Sequence, residues 1–348
     1  IASDAAEDQS PEESRRDVLA LSAFDFLPRD YDLAGALVDL NSEGILGFYD
    51  PETAEFVVVS NGVLLDPSAQ WTHAHEFVHA LQDQHYSLDG ISNEAADSES
   101  RAAIRALAEG EADLVQYLFL YENNFFTQKE VAGILNSPEQ SDLSYLDSVP
   151  PILISNMAFP YREGLEFVAA LYREGGFEAI DAAWQDPPRS TEQIIHPDRY
   201  LDNDVPQLVA MTPLTTTLGV GWEQIDEDIL GEFFLREYLD QELAASAAAT
   251  AATGWGGDRY VVYWNEATAE LVMALHLVWD TPADAVEFGE AFALYAANLL
   301  EADAQDQVGG SICWEADETI CLSQTAAGSF VVRAPSLQMA GDVLAAIQ

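Results

Sequence analysis

The stretch Trp71-Thr72-His73-Ala74-His75-Glu76-Phe77-Val78-His79-Ala80-Leu81-Gln82-Asp83-Gln84-His85-Tyr86 reads as one helix that begins near Pro67. On a helix, positions i and i+4 lie about 40° apart and one turn up, so His75 and His79 can reach a single ion. Glu76 sits at the adjoining edge of that face, placed to take a proton from a water on the ion. Asp83, one turn beyond His79, projects the same way and is expected to orient a ligand. Trp71, Ala74, Phe77, Val78 and Leu81 fall on a neighbouring face, with Phe77 and Val78 expected to dock on the core. His73 and His85 sit off the metal-facing side and read as surface or supporting residues.

A catalytic zinc takes three protein ligands and keeps a position for water. After His85 the next histidine is His196, but the intervening alanine-rich helix carries Ala108-Glu109-Gly110-Glu111-Ala112-Asp113. Glu109 and Asp113 share a face with Ala102 and Ala106. Those small residues are expected to let this helix approach the first one closely. Glu109 then binds metal and Asp113 holds a ligating imidazole. The alternative ligand is Glu111, which lies on the apolar stripe of Ile104, Leu107, Val115 and Leu118, where a lone buried carboxylate is costly unless paired.

These residues resemble the gluzincin metallopeptidases. His75-Glu76-Phe77-Val78-His79-Ala80-Leu81-Gln82-Asp83 is similar to the active-site helix of thermolysin-like enzymes, which also carry an aspartate four residues after the second histidine. Glu109-Gly110-Glu111-Ala112-Asp113 resembles their second zinc helix, and equally the Glu-x-x-Ala-Asp element of the CAAX-processing proteases. Over about residues 20–280 the chain looks like a group of uncharacterised secreted bacterial and archaeal metallopeptidase-like proteins. That likeness rests on Gly47–Pro51, His75–Gln84, Pro188–Pro197 and Gly254–Tyr260. The general gluzincin likeness covers about 45–115 and lacks a thermolysin-type calcium region.

The resemblance implies hydrolysis of a peptide bond with Zn2+ as cofactor, Glu76 as general base and a peptide or protein substrate. The same ligands accept cobalt or manganese. A donor should stabilise the developing oxyanion. His196, in a proline-bounded segment after a turn, is the candidate for that catalytic role, with Arg259 and Tyr260 as alternatives. His276, in an apolar strand, reads as core. The strand Glu55–Ser60 is expected to present an edge to the substrate backbone. A non-catalytic zinc-containing surface-binding protein is the competing reading, against which the intact Glu76 argues.

The formal charge is 13 − 61 = −48, and Lys129 is the sole lysine. Such a balance excludes nucleic acid as a partner, because no basic patch can neutralise phosphates. Self-repulsion at this charge destabilises a compact chain in dilute salt, whereas molar salt shortens the screening length to roughly 3 Å. A protein adapted to high salt is expected. No run of eighteen apolar residues marks a transmembrane segment. The chain opens at Ile1, as expected of a processed or truncated form. Cys313 and Cys321 lie in two strand-like runs either side of the turn Ala316–Glu318. That layout suits a disulfide across a hairpin, worth roughly 2–3 kcal/mol, with two buried thiols as the alternative. A bridge implies an oxidising compartment and an extracellular or cell-surface location.

The expected fold class is α+β. Residues 1–14 read as a flexible acidic tail, 15–204 as a mainly helical zinc-binding region with a short β-hairpin, and 205–348 as an α+β region with a mostly antiparallel sheet. Strand-like runs at Ile45–Tyr49 and Glu55–Ser60, joined by Asp50-Pro51-Glu52-Thr53, form the hairpin. Helices follow at about 67–86, 94–122, 126–136, 160–174 and 176–184. Ser190 or Thr191 caps a short helix after Pro187-Pro188. Beyond 205, strands at 206–211, 259–264, 270–279, 311–315, 319–323 and 328–333 are separated by helices at about 228–252, 283–300 and 336–347. The charge makes one prediction. The melting temperature should rise from dilute buffer to molar potassium chloride, and equal stability in both would remove the high-salt reading.

Overall fold

The computed structural model describes residues 10–42, 47–50, 53, 55–58, 65–122, 125–136, 148–307, 310–325 and 328–348. The architecture is α+β, and the chain divides into two compact units. One comprises Ala34–Asp204; the other joins the segment up to Leu33 to Val205–Gln348.

In chain order, α1 (Pro11–Ser22) and α2 (Leu33–Ser42) precede the antiparallel hairpin of β1 (Gly47–Asp50) and β2 (Glu55–Val58). Pro51 and Glu52 of the expected turn, and the ends of both expected strands, lie outside the described residues. Helix α3 (Pro67–Tyr86) starts where predicted. The Asp66 side chain accepts from the Ala69 N–H and Pro67 opens the first turn. It stops at Ser87, which is left-handed (φ 57°). The helix expected over 94–122 starts four residues later, as α5 (Ser98–Glu122), and is preceded by a short unexpected helix, α4 (Leu88–Glu94). The break falls at Asp97, whose carboxylate accepts from the Ser100 N–H and hydroxyl. Next come α6 (Gln128–Leu135), α7 (Pro151–Gly175), α8 (Phe177–Gln185), α9 (Thr191–Ile195, capped by Ser190) and α10 (Pro197–Leu201).

Helix α7 begins nine residues earlier than expected and contains Pro160. It crosses α5 at two glycines. A Cβ on Gly110 would collide with the Gly164 carbonyl, and one on Gly164 with the Ala106 carbonyl. The small residues of α5 therefore admit α7 to backbone contact, while α5 also packs against α3, where the Ala108 carbonyl accepts from Gln82 (3.0 Å).

The second unit continues with α11 (Thr215–Leu218), β3 (Trp222–Asp228), α12 (Gly231–Asp240), α13 (Ala245–Ala252), β4 (Trp255–Asn265), β5 (Glu270–Trp279) and α14 (Pro282–Leu300). It ends with β6 (Gln305–Asp306), β7 (Ile312–Glu315), β8 (Thr319–Gln324), β9 (Ser329–Ala334) and α15 (Leu337–Ile347). The sheet is antiparallel throughout, in the order β3-β4-β5-β9-β8-β7-β6. Cys313 and Cys321 face each other in register on β7 and β8 and form the disulfide. No strand forms at 206–211, and β3 appears instead in the acidic run Trp222–Asp228, where charge hides the strand pattern. The helix expected over 228–252 is split into α12 and α13.

Residues 15–33 belong with this unit rather than with the helical one. Phe24 packs edge-on against Tyr238 and Tyr260, and Phe26 lies against Phe234. The buried Arg333 guanidinium pairs with Asp25 (2.7 Å) and Glu318 and donates to the Ala23 carbonyl. Nor is the tail wholly irregular. Ser10 and Glu13 form a capping box, so helix α1 starts within it; residues 1–9 lie outside the described set.

Buried Asp258, 1% exposed, fastens β4 to the start of α12. Its carboxylate accepts from the N–H groups of Leu230 (2.8 Å) and Gly231 (2.9 Å) and from Trp255 Nε1 (2.8 Å). Burial pushes its pKa up to about 6 against the pull of these donors. Asp258→Asn turns an amide toward at least one N–H and should cost about 2–4 kcal/mol in denaturant unfolding. An unchanged midpoint would show that the three bonds do not hold this junction.

Candidate metal centre

Helices α3 and α5 bring His75, His79 and Glu109 together. His75 Nε2 lies 3.1 Å from His79 Nε2, and Glu109 Oε2 lies 3.2 Å from the first and 3.3 Å from the second. Among the described residues this trio is the group able to hold a metal ion. Each imidazole turns its other nitrogen to a partner. His75 Nδ1 faces Asp113 Oδ1 at 3.2 Å, as the sequence pattern foresaw. His79 Nδ1 faces Gln82 Oε1 at 2.9 Å, which it did not.

The donor set fits a catalytic zinc: two imidazole nitrogens and one carboxylate oxygen, with hydrogen-bonded partners behind the histidines. The electrostatics also call for a cation. Burial opposes charge on His75, but its hydrogen bonds to Asp113 and Glu109 outweigh that and raise its pKa from the ordinary 6.5 to about 9. His79 moves up as well, burial again being overcome, chiefly by Glu109. Glu109, buried beside both imidazoles, is held well below the usual carboxylate range.

Glu111, the alternative ligand, is turned elsewhere. Its Oε2 accepts from Gln82 Nε2 (2.9 Å) and from Trp184 Nε1 (2.7 Å). That pairing accounts for a carboxylate on the apolar stripe.

Glu76 is 8% exposed. Burial raises its pKa, against the pull of His79 and His75 and a hydrogen bond from the Tyr49 backbone N–H. A raised carboxyl beside a metal-facing pair suits a group that must accept a proton and give it up again. Tyr49 also donates its hydroxyl to Asp83 (2.9 Å), and Asp83 accepts from the Leu88 N–H. Asp83 therefore ties β1 and the end of α3 together rather than orienting a ligand. The strand expected to present an edge to substrate, Glu55–Ser60, forms β2 over Glu55–Val58 and pairs with β1; Val59 and Ser60 lie outside the described residues.

Tyr161 on α7 was missed. Its ring lies 6.3 Å from that of His75, nearly parallel, and its hydroxyl feels the charge of Glu109. Burial and the charge of Glu109 push its pKa up, so it stays a proton donor. Tyr161 precedes Gly164 by one turn. Its place follows from the glycine crossing of α5 and α7, which no local pattern in the sequence reveals.

His196 sits at the α9–α10 junction, where its N–H donates to the Glu192 carbonyl and its carbonyl accepts from Arg199. Arg259 pairs with Glu227 (3.0 Å) and Tyr260 donates to Asp226 (2.7 Å), both in the seven-stranded unit. His276 stacks on Phe330 (4.2 Å), in keeping with a packing role. His73 stacks on Phe77, and His85 is exposed. Val78 is buried, but Phe77 and Leu81 are 47% and 40% exposed, so the helix docks through a narrower face than expected.

In the metal-free protein, protonated His75 contributes stability that is fully present below about pH 6.5 and is lost as pH rises through about 9. Melting in chelator should therefore fall across that window, while zinc affinity climbs as the competing proton leaves. A zinc affinity independent of pH there would contradict this charge assignment.

Residues 217–344 match the model of a family described as a domain of unknown function (DUF8575). The match lies within the seven-stranded unit and includes none of the residues around His75. No curated protein and no solved structure matches the chain.

Proposed function

We propose that this protein is a zinc-dependent peptidase with His75, His79 and Glu109 as metal ligands and Glu76 as general base. The observation that carries the reading is the convergence of two Nε2 atoms and a carboxylate oxygen within 3.3 Å, with Glu76 buried on the same helix. Zinc held there would supply Lewis acidity toward a water and toward the scissile carbonyl.

The chain's own groups divide the remaining work. Asp113 and Gln82 hold the two imidazoles. Glu76, its pKa raised by burial, accepts a proton and passes it to the departing amine. Tyr161, whose ring lies beside that of His75, donates to negative charge developing on the substrate oxygen. Tyr161 is preferred to His196 for this role because its ring lies against that of a proposed ligand, His75. The hairpin, bonded to Glu76 through Tyr49, offers a backbone edge for an extended peptide. The disulfide and the charge of −48 support a place outside the cell in concentrated salt. No helix among the described residues is long and apolar enough to cross a membrane.

The test is zinc content and caseinolysis in high salt for wild type, Glu76→Gln and Tyr161→Phe. All three should carry one zinc. Glu76→Gln should lose roughly 100-fold or more in kcat, and Tyr161→Phe roughly 10²–10³-fold. Absence of zinc from the wild type, or full activity in Glu76→Gln, would overturn the proposal. Zinc without any activity would instead favour a binding role.

A further inference from the structure

Gln82 is 2% exposed, and its amide is pinned by groups of fixed hydrogen-bonding sense. Its Nε2 lies 3.0 Å from the Ala108 carbonyl, which can only accept. It also lies 2.9 Å from Glu111 Oε2, an oxygen that already accepts from the Trp184 indole, which can only donate. A flipped Gln82 would lose both bonds and set its oxygen against the Ala108 oxygen, so Oε1 must face His79. At 2.9 Å from that acceptor, His79 Nδ1 must carry a hydrogen. The proton of the neutral imidazole is thereby assigned to Nδ1, and the nitrogen pointing at His75 and Glu109 is the one left with its lone pair when the ring is uncharged, as it is when it binds a metal.

We infer that Gln82, locked by Ala108, Glu111 and Trp184, is the positioning residue that fixes the tautomer of His79 and so sets how tightly the site holds its metal. This rests on reading His75, His79 and Glu109 as metal ligands. The two imidazoles are then held differently, His75 by the carboxylate of Asp113 and His79 by a neutral amide. The amide's lock runs through three helices: Gln82 on α3, Ala108 and Glu111 on α5, Trp184 on α8. Glu111 acts at a remove from the metal. Trp184, further out still, is tied to His79 through three hydrogen bonds, by way of Glu111 and Gln82.

The experiment uses the full chain in high salt, with histidine labelled by ¹⁵N, in wild type, Gln82→Met and Trp184→Phe. Methionine keeps the length and burial of Gln82 but removes its acceptor and donors. The imidazole tautomers are read by long-range proton–nitrogen correlation, and zinc affinity by competition with a chromophoric chelator. Wild-type His79 should carry its proton on Nδ1, with or without zinc. Gln82→Met should weaken zinc roughly 10–100-fold and expose the His79 Nδ1 proton to exchange, leaving the His75 signals in place. Trp184→Phe should weaken zinc in the same direction by a smaller factor.

Unchanged zinc affinity and unchanged His79 signals in Gln82→Met would overturn the inference. So would a wild-type His79 protonated on Nε2 with Nδ1 bare, a result available even if the variants do not fold. If the wild type takes up no zinc, the peptidase reading falls and so does the inferred control of metal affinity. A Nδ1–H on His79 in that protein would still separate a correct hydrogen-bond assignment from the failed metal reading.

Discussion

Two imidazole nitrogens and a carboxylate oxygen face one another at 3.1–3.3 Å, and each imidazole's other nitrogen is committed to a partner. Three electron-rich atoms at that separation repel unless a cation lies among them. Protons can serve, which is why His75 rises to about 9 and His79 moves the same way. A divalent ion serves better, since it satisfies all three at once. The surrounding helical unit is arranged to keep these atoms together.

Helix α5 does most of that arranging. One face carries Glu109 and Asp113 to the histidines. Another carries Gly110, which lets α7 approach until its backbone meets that of α5 and Tyr161 comes over Glu109. On the apolar stripe, Glu111 is tethered to Gln82 and Trp184. Burial, which raises Glu76 and Tyr161, also makes the interactions between charged groups stronger than they would be in water.

Much of this was legible in the sequence. The i, i+4 histidines and the capped start of α3 are local features, and so is the i, i+4 pair Glu109 and Asp113. The disulfide followed from strand-like runs around a turn. What failed depended on tertiary packing. Small residues on α5 mark a close approach, but sequence cannot say to which helix. Phe77 and Leu81 look like core by type, yet they are largely exposed. Asp83 projects in the ligand direction, but a hydroxyl from the hairpin claims it. Residues 15–33 join a unit some two hundred positions later through Arg333 and an aromatic cluster. No pattern within those residues announces that.

The choice between Glu109 and Glu111 turned on a rule correctly stated and then satisfied otherwise: a buried carboxylate needs partners, and Glu111 has them in Gln82 and Trp184 rather than in a metal. The most direct test of the account is crystallographic. Anomalous difference density, collected on either side of the zinc edge from zinc-loaded crystals, should give a single strong peak bonded to His75 Nε2, His79 Nε2 and Glu109 Oε2. A peak on Glu111, a peak elsewhere, or none at all would contradict it.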